Sequence, residues 1–221
     1  KTNHKNISSD ISRTFEVRCN QNIARAKSGN YIFDKNTHRY FEELMDRIAL
    51  ANPEYDFKNI WLVLGKSATP NAYSVGDGTL VINCGIIPYL KNEGQLVFVI
   101  CHEISHYLLD HSNKLIAAKF NSKEKVKLQQ KLDEIEKNEY NQATQLKKLV
   151  KEYLYESRRY SRKNEYDSDS LGLYLMKNAA FTAEDAYTTM DVLEHLHEQL
   201  DSSQVNFNGI FQSVSLVNLD N

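Results

Sequence analysis

The chain has 221 residues, 41% of them hydrophobic and 25% charged, with only three prolines, which suits one compact α-rich domain with its own core rather than two. A formal net charge of −2, from 27 basic and 29 acidic residues, supplies no basic field, and no aromatic-basic motif accompanies it, so a nucleic-acid partner is not expected. No run of eighteen or more apolar residues occurs, so no transmembrane helix is expected; Lys1 to Asp10 is polar, as in a chain whose targeting segment has been removed, and a lost signal peptide or lipid anchor would allow membrane association.

Apolar residues recur at helical spacing from Ile11 to Ala26 (Phe15, Cys19, Ile23) and from Thr37 to Ala51 (Tyr40, Phe41, Leu44, Ile48), which predicts two amphipathic helices. Asn52-Pro53-Glu54 ends the second, and Ile60-Trp61-Leu62-Val63-Leu64 reads as a buried strand. Thr69 to Asn83 then reads as a β-hairpin whose tight turn is Gly76-Asp77-Gly78. These strands predict a small, mainly antiparallel sheet. The three cysteines form an odd set: Cys101 reads as a buried small hydrophobe, and a Cys84–Cys101 disulfide is the one pairing considered.

The apolar run Glu93 to Ile100 leads into Cys101-His102-Glu103-Ile104-Ser105-His106, a His-Glu-x-x-His pattern on a predicted buried helix. At about 100° per residue, His102 and His106 share one face, so two imidazoles can converge on one ion, with Glu103 beside them to take a proton from an activated water. A helix whose histidines merely pack or cap is the plain alternative, but a buried helix must satisfy two imidazoles and a carboxylate, and a metal does so. His111, nine residues beyond His102, falls about 180° around a continuous helix and is expected to point away. The extended metzincin signature would need Gly at 109 and His at 112; Leu109 and Ser112 exclude it.

From Ser122 to Tyr160 the chain is highly charged, with Leu128, Leu132, Ile135, Leu146, Leu149 and Tyr153 at helical intervals. Residues 122–160 therefore read as a helical insertion within a single domain spanning 1–221, either a solvated bridge or a lid or partner-docking arm over the cleft. A third metal ligand is a His or a Glu from a second helix, and the best candidate is Glu165. Asp169, on the same face at i+4, can accept the free ring N–H of a ligating His. Ala180 to Leu200 reads as a further helix, and Val205 to Asn221 as a polar tail with a short strand at Val214 to Val217.

Between about Trp61 and Leu175 the sequence resembles the HtpX and CAAX-prenyl-endopeptidase family of gluzincin zinc metallopeptidases, and in particular its soluble members. The residues that carry the resemblance are His102-Glu103-x-x-His106; the second motif Arg162, Glu165, Ser168 and Asp169, where the family more often has Ala than Ser168; and the strand Asn71-Ala72-Tyr73 with its Gly turn. Asn164 to Asp169 also fits the thermolysin pattern, but the long stretch between His106 and Glu165 and the lack of room for a large second lobe argue against that family. The resemblance implies an α+β, predominantly helical zincin-like domain, its sheet packed on the metal-binding helix, with Asn71, Ala72 and Tyr73 bordering a peptide-binding cleft. Family members also carry a His in a Thr-His-Pro-like segment after the second motif; none precedes Asn221, which leaves His197, beside His195, as the candidate helper of the tetrahedral intermediate.

The function expected is a zinc-dependent endopeptidase with one zinc ion per chain, ligated by His102, His106 and Glu165, and with Glu103 as general base. Two imidazoles and a carboxylate suit zinc, and a helical motif argues against non-haem iron. The expected partner is a protein or peptide substrate, and the expected location is the periplasm or cell envelope, where the family implies a role in protein quality control. The competing reading is a peptidase-like scaffold or chaperone that binds partner proteins without cleaving them.

Overall fold

A computed structural model describes residues 3–119, 127, 130–135 and 142–203. Helix α1 (Asn3–Lys27) ends with Arg25 and Lys27 in its last turn, where cations complement the helix dipole. Strand β1 (Tyr31–Ile32) follows, and the carboxylate of Asp34 then accepts the N–H groups of Asn36 and Thr37 to start α2 (Lys35–Ala51). The apolar positions Phe41, Leu44 and Ile48 recur on one face of α2 and are all buried, as the periodicity predicts. In the predicted stripe of α1, Ile23 is 51% exposed and Cys19 is exposed too, while the Phe15 side chain lies outside the described residues. Polar contacts join α1 to the domain instead, since the amide of Asn22 donates to Asp77 and Thr79 and its carbonyl accepts from the Tyr31 hydroxyl.

Strands β2 (Trp61–Gly65), β3 (Ala72–Ser74) and β4 (Thr79–Asn83) complete a sheet in the order β1-β2-β4-β3. The sheet is mixed: β1–β2 and β3–β4 are antiparallel, whereas the central β2–β4 ladder, from Trp61 opposite Thr79 to Gly65 opposite Asn83, is parallel. The chain passes from β2 out to the edge strand β3 and returns through the hairpin to β4, which places β4 alongside β2 in the same direction. The turn requires its glycines: Gly76 and Gly78 have φ of 91° and 96°, and a Cβ on Gly78 would lie 1.9 Å from the Asn59 carbonyl oxygen.

A 3-10 turn (Cys84–Tyr89) leads to α3 (Glu93–Leu108), the central element. The Asn92 side chain caps α3 by accepting the Gln95 N–H and also donates to Asp185, whose carboxylate pairs with Thr182 at the start of a later helix. Gly94 through Cys101 are buried without a break, so α3 is covered on all sides in its first half, by the sheet, by α2 and by two helices that follow. Cys101 is fully buried and unpaired, and Cys84 is free as well, so the disulfide considered from the sequence does not form; Cys101 packs as a small hydrophobe.

Beyond α3 come α4 (His111–Lys119), α5 (Gln142–Asn178) and α6 (Ala183–Ser203). Helix α5 has 37 residues and runs without interruption from the charged segment into the second motif, so the predicted insertion and the motif share one helix. Of the insertion, residues 127 and 130–135 are also helical, and the remainder between 120 and 141 lies outside the described residues, as does the strand expected at Val214 to Val217. The core gathers Ile48, Leu80, Ile82, Phe98, Ile100, Ile104, Leu175 and Met176, all fully buried between α2, the sheet, α3 and α5.

Candidate metal centre

Helix α3 places His102 and His106 one turn apart, and their Nε2 atoms approach to 3.0 Å. From α5, Glu165 brings Oε2 to 3.4 Å from His102 Nε2 and 3.6 Å from His106 Nε2. A tetrahedral zinc ion with ligand bonds of about 2.0–2.1 Å needs donor atoms roughly 3.3–3.4 Å apart. The observed triangle brackets that edge, so the three side chains can hold one ion, and the donor set, two nitrogens and an oxygen, is one that zinc takes. Glu165 is exposed, which keeps the triangle open to solvent on its side.

Close approach of α5 to α3 depends on Gly172. A Cβ there would lie 3.1 Å from the backbone N of His102 and 3.2 Å from its Cα, so only glycine lets the two helices meet at this separation. Asp169, one turn from Glu165, sets Oδ1 2.9 Å from His102 Nδ1. This carboxylate accepts the Nδ1–H, as expected from the i,i+4 spacing, so that in the neutral ring Nε2 would be the nitrogen free to present its lone pair to an ion. In the metal-free protein, burial disfavours a charge on His102, but hydrogen bonds to Asp169 and Glu165 outweigh it and push its pKa up to about 10. Hydrogen bonds from His102 and His106 in turn hold the Glu165 carboxyl well below the usual carboxylate range.

Glu103 is 8% exposed, and burial pushes its pKa up, an effect offset in part by His102 and His106. Its carboxylate accepts the backbone N–H of Ser74, which ties it to the edge strand β3. Of the cleft residues suggested by the sequence, Ala72 and Tyr73 lie on β3 opposite Ile82 and Val81, and the Asn71 carbonyl just before them accepts the Asn83 N–H. Their other edge faces away from β4 and has no neighbouring strand among the described residues.

His111 is the clear departure from expectation. It is buried, and its Nδ1 lies 3.0 Å from His106 Nδ1. A continuous helix would have carried it away, but α3 stops: Leu109 is its C-cap and Asp110 takes a left-handed φ of 58°, so α4 starts in a new direction with His111 as its first residue. Ser168, fully buried on α5, sets Oγ 3.3 Å from the same His111 nitrogen. Ser74 and Gly172 were not singled out by motif reasoning either, because each acts through its backbone.

His197 lies on α6, and its side chain is outside the described residues; its neighbour His195 is exposed, with Nδ1 2.7 Å from the Asp191 carbonyl oxygen. A cavity of ≈ 740 Å³ lies elsewhere, between α2 and strands β1 and β2, lined by Phe41, Met45, Trp61 and Leu62. No residue of the triangle borders it.

A predominantly helical domain with a small sheet, a His-Glu-x-x-His helix and a carboxylate from a second helix defines a metal-dependent hydrolase of the zincin type. Residues 33–213 match the profile of peptidase family M48, and the chain belongs to that family. It is accordingly a metallopeptidase, a hydrolase of peptide bonds whose family uses zinc. No curated protein matches the chain in sequence.

Proposed function

We propose that the protein is a zinc-dependent endopeptidase in which His102, His106 and Glu165 hold one zinc ion per chain and Glu103 is the general base. Bound there, zinc would polarise the scissile carbonyl and lower the pKa of an attacking water. The observation that carries the reading is the buried carboxyl of Glu103 beside a donor triangle of zinc dimensions. Burial raises the proton affinity of Glu103, which suits a group that takes a proton from water and passes it to the leaving amine. Asp169 holds the His102 tautomer while this happens.

Substrate enters as an extended peptide along the outer edge of β3, where the main-chain groups of Ala72, which face away from β4, offer hydrogen bonds that do not depend on sequence, while those of Tyr73 face β4. Unfolded segments satisfy that requirement better than folded ones, which supports misfolded proteins as substrates; the family resemblance alone suggests the periplasm or cell envelope as their location. No helix among the described residues is long and apolar enough to cross a membrane. The decisive variant is Glu103→Gln, which keeps shape and removes the base. It should retain zinc by elemental analysis and lose at least ~100-fold of its casein cleavage. Full activity in that variant would remove Glu103 from its role, and an unchanged cellular function without cleavage would favour the scaffold reading.

A further inference from the structure

Two nitrogens 3.0 Å apart, Nδ1 of His106 and Nδ1 of His111, cannot both carry a proton and cannot both be bare without forfeiting a buried hydrogen bond. His106 Nε2 faces the triangle, 3.0 Å from His102 Nε2 and 3.6 Å from Glu165, and must present a lone pair to an ion held there. The proton of a neutral His106 then resides on Nδ1, and His111 Nδ1 has to accept it. We infer that His111, supported by Ser168, is the positioning residue that fixes the tautomer and ring orientation of His106, an inference that rests on the metal reading proposed above.

Three observations converge on this assignment. His111 is 8% exposed, so its ring depends on protein partners rather than water. Ser168 Oγ, with no exposure, lies 3.3 Å from the same nitrogen, a buried polar contact that holds the ring from α5; with Nδ1 accepting from His106, His111 keeps its own proton on Nε2. Third, the left-handed Asp110 and the bond from the Lys114 N–H to the Asp110 carbonyl start α4 at the point that returns His111 to His106. The two candidate ligands are thus held by unlike partners: a carboxylate, Asp169, behind His102, and a neutral imidazole behind His106. With Glu165 and Asp169 already offering two negative charges against a divalent ion, a neutral acceptor behind His106 orients the ring without further reducing the ion's pull on a carbonyl.

The test compares His111→Leu, which has no acceptor, with His111→Asn, whose Oδ1 stands the same number of bonds from the backbone as Nδ1. Zinc affinity is measured by competition with a chromophoric chelator, and site geometry by the visible absorption of the Co(II)-substituted proteins. H111L should bind zinc 10- to 100-fold more weakly and show an altered Co(II) spectrum, while H111N should recover affinity to within about threefold and keep the wild-type spectrum. Equal zinc affinity in H111L and wild type, or equal losses in H111L and H111N, would overturn the assignment while leaving the metal reading intact; a wild type that takes up no zinc would end both. Nitrogen-15 NMR of the zinc-loaded wild type gives a check that needs no variant: His106 should carry its proton on Nδ1 and His111 on Nε2, and a proton on His111 Nδ1 refutes the inference.

Discussion

Replacing Gly172 by alanine tests whether the contact between α3 and α5 sets the metal centre. The added Cβ would lie 3.1–3.3 Å from three backbone atoms, His102 N and Cα and Cys101 C, all on a buried helix with no flexible end to swing aside. Ordinary contact between such atoms is about 3.5–4.0 Å, so α5 must retreat by roughly 0.4–0.6 Å. An alanine in a helix interior normally gains about 0.5–1 kcal/mol over glycine, whereas overpacking costs about 1–3 kcal/mol. The balance is a loss on the order of 1 kcal/mol, which lowers Tm by roughly 2–4 °C for a chain of this size. The same retreat carries Glu165 and Asp169 away from His102, and displacement by a quarter of a ~2 Å zinc bond should weaken zinc binding about 10- to 100-fold. Saturating zinc would then stabilise the variant by about 1.4–2.7 kcal/mol less than the wild type at equal metal concentration. Thermal melts with and without zinc, paired with chelator competition, read both effects. A G172A protein that melts above the wild type and binds zinc equally well would refute the idea that this contact sets the ligand geometry.

Two further outcomes follow from named groups. Zinc uptake should release close to one proton per ion from His102 at neutral pH, because its pKa in the metal-free protein is pushed up to about 10, and apparent affinity should climb by up to ~10-fold per pH unit below that value. Calorimetric titration in buffers of different ionisation enthalpy measures the release, and its absence between pH 7 and 8 would contradict the hydrogen bonding of His102 described above. The sign for stability is opposite on the two sides of the pair. The contribution from raising His102 above its ordinary 6.5 is complete below that pH and is lost as pH rises through about 10; that from depressing Glu165 below its ordinary 4.5 is present above 4.5 and is lost on acidification. Asn52, fully buried, donates from Nδ2 to the carbonyls of Ile48 and Leu175 and accepts from Asn178, bolting the end of α2 to α5. Asn52→Ala removes all three of these bonds, although the Leu175 carbonyl keeps the Ala179 N–H, and should cost about 2–4 kcal/mol in denaturant unfolding; a loss under about 0.5 kcal/mol would show that the bolt is unimportant.

Much of this molecule was legible from residue spacing, for a physical reason. The candidate donor triangle is built from two helices, and helical periodicity is the strongest regularity a sequence carries: His102 and His106 at i,i+4, and Glu165 and Asp169 at i,i+4, each specify a shared face without knowledge of the fold. The α2 stripe and the Gly76-Asp77-Gly78 turn are legible on the same local grounds. Pairing partners are not local. An alternating strand pattern says which face is buried but not which strand lies beside it, and so the parallel β2–β4 ladder was not foreseen. The apolar stripe of α1 shows the converse limit, since periodicity creates a face and only tertiary contacts bury it.

His111 shows why extrapolation along a helix fails at the point that matters most for the site. The step of about 100° per residue holds only while the helix lasts, and α3 ends within three residues of His106. Nothing in Leu109-Asp110 announces the break: there is no glycine or proline, and an aspartate adopts the left-handed conformation that glycine would normally supply. Once the break is placed, the geometry reverses its meaning. The residue that a straight helix would send to the far side becomes the nearest buried partner of His106, and the serine preceding Asp169 gains a reason to carry a hydroxyl. On the tautomers inferred above, the ring nitrogens of both candidate ligands meet acceptors that converge from α4 and α5, so any displacement of those helices would be felt as a rotation of an imidazole. Preorganisation of the site is therefore carried by helix termini and helix contacts as much as by the motif residues themselves.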